Sequence, residues 1–228
     1  MIELRSNPRT ILKVLSHLKE GIFSIKDISE STGLPFGTIR EIVDPLIEEN
    51  CIKEKDGKLM GNEVATITLS FQAFIAGAAL EEIFRIIRWQ DFENFVSIIL
   101  SEQGFNTFRN YRLKKPRLEI DVLALKKNFG LVIDCKQWQK VLSASNLNTI
   151  VSKQIERTKT LLSIDQRIGN NIILVPAIVT LFPSREHFFE NVPIIAANSL
   201  KSFASEIDGR TGEVLKVFKD KEGIKLER

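Results

Sequence analysis

Residues 118–136, LEIDVLALKKNFGLVIDCK, decide the fold of this chain. Two mainly apolar runs, 118–125 and 129–136, are separated by a short polar turn, which predicts two consecutive β-strands. Each run is interrupted by an acid, Asp121 in the first and Asp134 in the second. Because a carboxylate is costly to bury without a partner, the two aspartates are candidates for a functional site.

The triplet Asp134-Cys135-Lys136 has the spacing that places two functional side chains on one face of a strand. Successive side chains alternate between faces, so Asp134 and Lys136 point one way while Ile133 and Cys135 point the other. We therefore expect the Cys135 side chain in the core and its backbone carbonyl between the functional side chains. Pairing of the two strands would bring Asp121 close to Asp134, where repulsion opposes ionising both carboxyls unless a cation bridges them.

The remainder of the C-terminal part predicts an alternation of helices and strands. Its order is helix, strand, strand, helix, strand, strand, helix, with the added elements at residues 89–103, 150–162, 172–181, 192–196 and 200–207. The first helix carries Glu93 beside its apolar stripe, and the second carries Gln154. An acid beside an apolar stripe is unusual, whereas a lone glutamine on a helix is usually exposed to solvent.

This order of elements resembles the PD-(D/E)xK nucleases, in particular Mrr-type restriction endonucleases and archaeal Holliday-junction resolvases. The residues that carry the resemblance are Glu93, Asp121, Asp134, Cys135, Lys136 and Gln154. The resemblance covers residues 89–207 and implies an α/β, restriction-endonuclease-like mixed sheet flanked by helices. It also implies that the three acids and the Cys135 carbonyl bind a metal, that Lys136 acts at the reacting phosphate, and that Gln154 supports the active site. The proline that commonly precedes the strand aspartate is Ile120 here.

The chemistry implied is hydrolysis of a phosphodiester bond in DNA, in restriction, repair or recombination. Mg²⁺ suits the site because it needs only one or two protein carboxylates and takes water and phosphate oxygens as its other ligands, and Mn²⁺ is a plausible substitute. Lys136 would orient or deprotonate the attacking water and stabilise charge in the transition state. The alternative is an inactive nuclease fold that binds DNA or serves in assembly. The complete set of site residues favours the enzyme.

The N-terminal residues predict three helices followed by a hairpin around Asp56-Gly57. This order resembles a winged helix-turn-helix domain and sets the predicted boundaries at 1–62 for this domain, 63–88 for a connecting helix and 89–228 for the nuclease domain. The third helix carries Arg40 among four acids, which oppose phosphate. DNA contact and protein contact both remain open for this domain. The candidate DNA-binding residues are Thr38 and Arg40 in the helix and Lys53, Lys55 and Lys58 in the wing.

The apolar residues of 63–88 recur at mostly helical spacing and predict a long connecting helix, which the interior Gly77 is expected to bend or divide. Such a helix can join the two domains or pair with a second copy in a homodimer. The sequence does not choose between these roles.

Charge is divided unequally between the two parts of the chain. Residues 1–88 hold 11 Lys and Arg against 13 Asp and Glu, whereas the rest holds 21 against 16, so the net charge of +3 separates into −2 and +5. The positive excess is locally concentrated in a basic segment, defined by Arg109, Arg112, Lys114, Lys115 and Arg117. Such a segment suits nucleic acid, although a solvated loop would look the same.

Composition and sequence pattern limit the class of protein to which this chain can belong. A chain of 228 residues with 43% hydrophobic and 27% charged residues is typical of a globular protein, and its length favours two domains. The two cysteines have no metal-ligand or disulfide-framework spacing, which fits a reducing, cytoplasmic environment. The N-terminus does not resemble a secretory signal, and the longest uncharged stretch, 64–80, is too short and polar to predict a membrane span.

Overall fold

A computed structural model of the protein describes residues 4, 6–136, 143–168, 171–209, 211–220 and 222–227. The chain divides into a first unit, Met1–Phe95, and a second unit, Val96–Arg228. Within the described residues, no helix has the length and apolar character that a membrane span requires.

The first unit contains the three helices and the hairpin that the sequence predicts, together with a short extra strand. Its elements are α1 (Pro8–Glu20), β1 (Ile22–Phe23), α2 (Ile25–Thr32), α3 (Phe36–Glu48), β2 (Ile52–Lys55), β3 (Lys58–Gly61), α4 (Glu63–Ile75) and α5 (Leu80–Ile86). Helix α2 begins with a capping box, in which Ser24 and Asp27 each satisfy the other's backbone N–H, and it ends at Gly33 in the left-handed conformation. The three strands form an antiparallel sheet in the order β1-β3-β2.

The predicted connecting helix over 63–88 is divided into α4 and α5. The break contains Gly77 at a φ of 97°, a conformation that glycine adopts without the steric cost of a Cβ. Helix α4 packs against α1, so it belongs to the fold of the first unit.

A mixed sheet forms the centre of the second unit. The strands are β4 (Asn106–Leu113), β5 (Leu118–Lys126), β6 (Phe129–Lys136), β7 (Ile173–Thr180), β8 (Phe188–Phe189), β9 (Val192–Ala196), β10 (Lys216–Asp220) and β11 (Gly223–Glu227). The main order is β11-β10-β7-β6-β5-β4, and β9 also pairs with β7. Pairing is parallel for β6–β7 and β7–β9 and antiparallel elsewhere. This architecture is consistent with the predicted restriction-endonuclease-like fold.

The helices of this part are α6 (Trp89–Glu102), which begins within the first unit, α7 (Ala144–Ile164) and α8 (Leu200–Glu206). Helix α7 packs on the sheet, where Leu161 and Leu162 join a buried cluster with Leu123 of β5 and Val132 of β6. Strand β6 is buried from Phe129 to Cys135, as expected for a strand with neighbours on both sides and a helix above it.

The central strand β7 contains a proline, which cannot donate a hydrogen bond to a neighbouring strand. Pro176 lies between Leu174, which pairs with β10, and Ile178, which pairs with β9. At this point β7 changes its partner on one side, so the missing N–H is tolerated there.

The sequence did not predict β4, β8, or the hairpin of β10 and β11. Strand β4, NTFRNYRL, lies at one edge of the sheet and carries mostly polar and charged side chains. The hairpin is likewise rich in charge and partly exposed. Edge strands of this kind lack the apolar periodicity on which strand prediction depends.

Candidate active site

Asp121 and Asp134 come together across the adjacent strands β5 and β6. The ladder pairs Val122 with Ile133, and one step further Asp121 Oδ2 accepts a hydrogen bond from the backbone N–H of Cys135 at 2.8 Å. The side chain of Cys135 is fully buried, as expected, within a strand that is buried from Phe129 to Cys135.

The Asp121 carboxyl lies in an environment that disfavours its charged form. Burial raises its pKa, the Cys135 N–H opposes this, and the nearby negative charge of Asp134 raises the pKa further. A cation between the two carboxylates would remove this cost.

An irregularity in the sheet helps to position Asp121. Strands β4 and β5 pair on both sides of Asn110 and Asp121, but not at these two residues, and Asn110 has a φ of 49°. Ile120 and Leu123 would face opposite sides of a regular strand, yet both pack in the same buried cluster. Strand β5 therefore turns about its axis at Asp121.

Two cations pair with the carboxylate of Asp134. Lys136 Nζ lies 2.8 Å from Oδ2, and Arg157 Nη1 lies 2.9 Å from Oδ1. The Asp134 side chain is 6% exposed, against 32% for Lys136 and 27% for Arg157. The buried carboxylate is thus neutralised from the partly exposed side of the site.

Gln154 is fully buried on α7 and connects the helix to the sheet. Its amide Nε2 donates to the carbonyl of Val132 at 2.6 Å and, at 3.4 Å, to that of Ala177, while Oε1 accepts from Arg157 Nη1 at 2.7 Å. Only this orientation of the amide matches donors with acceptors. Gln154 therefore faces the sheet and not the solvent, unlike most lone glutamines on helices.

Sequence reasoning missed Arg157. It follows Gln154 by three residues on α7, and positions three apart lie on the same face of a helix. Once Gln154 is placed towards the sheet, this spacing predicts that Arg157 reaches the same site. The arginine thus adds a positively charged donor to the candidate set.

The oxygen donors of this site suit a hard divalent cation. Asp121, Asp134 and the Cys135 carbonyl supply only oxygen ligands, and Mg²⁺ typically needs one or two carboxylates from the protein. No group of three or more His, Cys, Asp and Glu residues arranged to hold a metal occurs within the described residues. Glu93, the predicted helix ligand, is 4% exposed on α6 and belongs to the first unit, whereas the two aspartates belong to the second.

The basic segment is part strand and part turn. Arg109 and Arg112 lie on the edge strand β4, and the other members, Lys114, Lys115 and Arg117, lie between β4 and β5. All five side chains are exposed, and Arg112 pairs with Glu119 at 2.8 Å. Exposed cations beside a sheet edge are accessible to a polyanion.

The N-terminal candidates lie on α3 and on the hairpin of β2 and β3 in the first unit. Arg40 contacts both carboxylate oxygens of Glu54, at 2.8 and 2.9 Å, and also lies 3.1 Å from Asp44. Its guanidinium is thus engaged by acids, whereas Thr38 is partly buried. The wing lysines, Lys53, Lys55 and Lys58, are exposed.

Residues 84–164, just over a third of the chain, match the Mrr_cat family, described as restriction endonuclease. This match contains Asp121, Asp134, Lys136, Gln154 and Arg157 and supports a nuclease-type function for the region. No curated protein matches the chain.

This chain spans about half the length of each of two similar solved structures. Protein VC1899 from Vibrio cholerae is 16% identical, with 89% of this chain and 51% of that chain covered and a TM-score of 0.38. Can2 from Sulfobacillus thermosulfidooxidans, in complex with cyclic tetra-adenylate, is 18% identical, with 88% and 50% covered and a TM-score of 0.35.

Proposed function

We propose that this chain is a cytoplasmic, divalent-metal-dependent DNA endonuclease of the PD-(D/E)xK type, acting in restriction, repair or recombination. The observation that carries the proposal is the network that groups Asp121, Asp134, Lys136 and Gln154 at one site. Lys136 contacts Asp134, and Arg157 joins Asp134 to Gln154. Asp121 accepts a hydrogen bond from the backbone N–H of Cys135. This network lies within the residues that match the restriction endonuclease family. Each of the four residues was a candidate on sequence grounds.

Mg²⁺ or Mn²⁺ would be held by Asp121, Asp134 and the carbonyl of Cys135. The bound cation would supply Lewis-acid activation of water and neutralise charge on the phosphoryl oxygens. The raised pKa of Asp121 supports this assignment, because a cation stabilises the ionised form that burial disfavours.

Lys136 would act directly on the reacting groups. Its ammonium group lies against Asp134 and is one-third exposed, so it can donate hydrogen bonds to a phosphate oxygen or to the attacking water. In hydrolysis, the water oxygen bonds to phosphorus as the bond to the leaving oxygen breaks. The positive charge of Lys136 would stabilise the negative charge that develops on the phosphoryl group.

DNA would be held mainly by the predicted nuclease domain, residues 89–228. The basic segment is exposed, and residues 89–228 carry a net charge of +5. For residues 1–62 we propose a winged helix-turn-helix domain, supported by the order of its helices and by its β1-β3-β2 sheet. Because Arg40 is paired with acids, the wing lysines are its better candidates for a phosphate contact.

Homodimerisation through the first unit is a separate proposal. Its physical basis is the helical pattern of 63–88, and light scattering coupled to gel filtration tests it directly. A monomeric mass at all accessible concentrations would reject it.

The decisive experiment incubates the purified protein with plasmid, single-stranded and four-way-junction DNA in the presence of Mg²⁺ or EDTA. We expect cleavage that requires the metal and disappears in Asp134→Asn. Metal-dependent DNA binding without cleavage of any substrate would instead support the inactive DNA-binding alternative.

A further inference from the structure

We propose that Arg157 is a displaceable cation on Asp134, which makes the binding of DNA and of a divalent metal ion cooperative. A DNA phosphate would draw the guanidinium away from the carboxylate oxygen that the metal requires. The inference rests on the proposed nuclease function and adds a regulatory property to its site.

Competition follows from the contacts of Asp134. Oδ1 accepts a hydrogen bond from Arg157, and Oδ2 contacts Lys136, so each carboxylate oxygen already has a cationic partner. A metal ion on either oxygen would lie beside a positive side chain. Since the Asp134 side chain is only 6% exposed, water screens this repulsion less than it would at the surface.

Arg157 is the partner better suited to move. Lys136 projects from β6 on the same strand face as Asp134, so its backbone holds it close to that carboxylate. Arg157 reaches the site from α7 and is partly exposed, and its planar fork can bind two phosphate oxygens at once. A phosphate approaching the site would therefore compete effectively for this guanidinium.

Gln154 gives Arg157 a second partner that does not depend on Asp134. The Gln154 amide is fixed by the Val132 carbonyl, and its Oε1 accepts from Arg157 Nη1 at 2.7 Å. The same nitrogen, Nη1, donates to Asp134 Oδ1. Arg157 can thus keep the bond to Gln154 while the guanidinium pivots about Nη1 and turns the N–H that faces Asp134 towards a phosphate.

Thermodynamic linkage makes the proposal measurable without catalysis. If DNA removes a cation that opposes the metal, DNA must raise metal affinity by the same factor by which the metal raises DNA affinity. Removing the positive charge of Arg157 should then raise metal affinity in the absence of DNA and reduce the coupling.

The test is calorimetric titration of the full chain with Ca²⁺, alone and with duplex DNA. The variants are Arg157→Gln and Lys159→Gln, a control that removes the same charge two residues further along α7. Lys159 pairs with Glu156 at 2.6 Å and lies outside the proposed network. We expect Arg157→Gln to bind Ca²⁺ about tenfold more tightly than wild type without DNA and to lose most of the enhancement by DNA. Lys159→Gln should resemble wild type in both titrations.

Equal or weaker Ca²⁺ binding by folded Arg157→Gln in the absence of DNA would overturn the proposal. Should this variant fail to fold, Arg157→Lys keeps the charge and removes the planar fork, so it should retain weak Ca²⁺ binding but show reduced coupling. Unchanged coupling in Arg157→Lys would also count against the proposal.

Asp134→Asn separates this inference from the proposed function. If it abolishes both Ca²⁺ binding and Mg²⁺-dependent cleavage while Arg157→Gln leaves Ca²⁺ affinity unchanged, the nuclease stands and the role of Arg157 falls. If Asp134→Asn binds Ca²⁺ like wild type and wild type does not cleave DNA, both proposals fall.

Discussion

Replacing Asp165 with asparagine should lower the stability of the second unit in a strongly pH-dependent way. Asp165 follows the last turn of α7, and its carboxylate accepts hydrogen bonds from Arg167 and from the hydroxyl of Tyr111 on β4. The Arg167 guanidinium also lies 5.0 Å from the centre of the Tyr111 ring. These contacts among Asp165, Arg167 and Tyr111 hold the edge strand β4 against the end of α7.

The size of the effect follows from the pKa of Asp165. The hydrogen bond from Arg167 is the main cause that lowers it from 3.8 to about 2, the Tyr111 hydroxyl lowers it further, and burial opposes both. At about 1.4 kcal/mol for each pKa unit, the ionised carboxylate contributes roughly 2 kcal/mol to folding. The Asp165 side chain is only 3% exposed, so solvent screens the pair mainly from the side of Arg167, which is open to water.

The lowered pKa of Asp165 determines how its contribution to folding stability changes with pH. Because the folded-state pKa lies below that of the unfolded chain, the contribution is present above about pH 4 and is lost as the pH falls through 2. Urea unfolding of wild type and Asp165→Asn should differ by about 2 kcal/mol at pH 7 and should converge between pH 4 and 2. The control Glu156→Gln changes an exposed acid on α7 and should cost under about 1 kcal/mol. A constant difference between wild type and Asp165→Asn from pH 7 to 2 would refute this reasoning.

The other predictions concern the network, the core and DNA binding. Asp134→Ala and Lys136→Ala should each reduce the cleavage rate at least about 100-fold while the protein still folds and binds DNA; comparable turnover in either variant would reject the site assignment. Cys135→Ser should lower the free energy of unfolding by about 1–3 kcal/mol, since a hydroxyl replaces a fully buried thiol, and turnover measured on the folded variant should be retained. Gln154→Leu should cost about 1–2 kcal/mol in chemical denaturation because its hydrogen bonds are removed, whereas Lys153→Leu at an exposed position of the same helix should cost less. Arg112, Lys114 and Lys115 of the basic segment should be neutralised together. The slope of log K for DNA binding against log salt should then flatten by about 0.9 for each phosphate that is no longer bound. An unchanged slope would place the DNA-binding surface elsewhere.

The sequence predicts the centre of the fold well because its chemistry is local. Strands β5 and β6 are apolar runs, and the acids that interrupt them are visible without any knowledge of tertiary contacts. Alternation along β6 then correctly predicts that Cys135 is buried and that Asp134 and Lys136 share a face. These inferences require only the geometry of a single strand.

The parts that the sequence does not reveal depend on contacts between distant residues. Strand β4 is stabilised by pairing with β5 and by the contact of Tyr111 with Asp165, and neither contact leaves an apolar pattern within β4. Arg157 looks like an ordinary charged helix residue until the orientation of Gln154 is known. Similarly, Ile120 and Leu123 of β5 face the same buried cluster because the pairing of β4 with β5 is interrupted at Asn110. No property of the β5 sequence alone predicts this change of facing.

The two aspartates of the candidate site are not equivalent, and their difference predicts how the site should respond to ligands. Asp121 is partly buried and is stabilised by a backbone N–H, so an added cation would lower the cost of its charge. Asp134 already contacts Lys136 and Arg157, so an added cation must compete there. Asp121 therefore favours metal binding while Asp134 opposes it. The affinity for the metal depends on whether another anion competes with Asp134 for its two basic partners. A phosphodiester is an anion that both can bind, so we expect the metal to be held most firmly when the substrate is present.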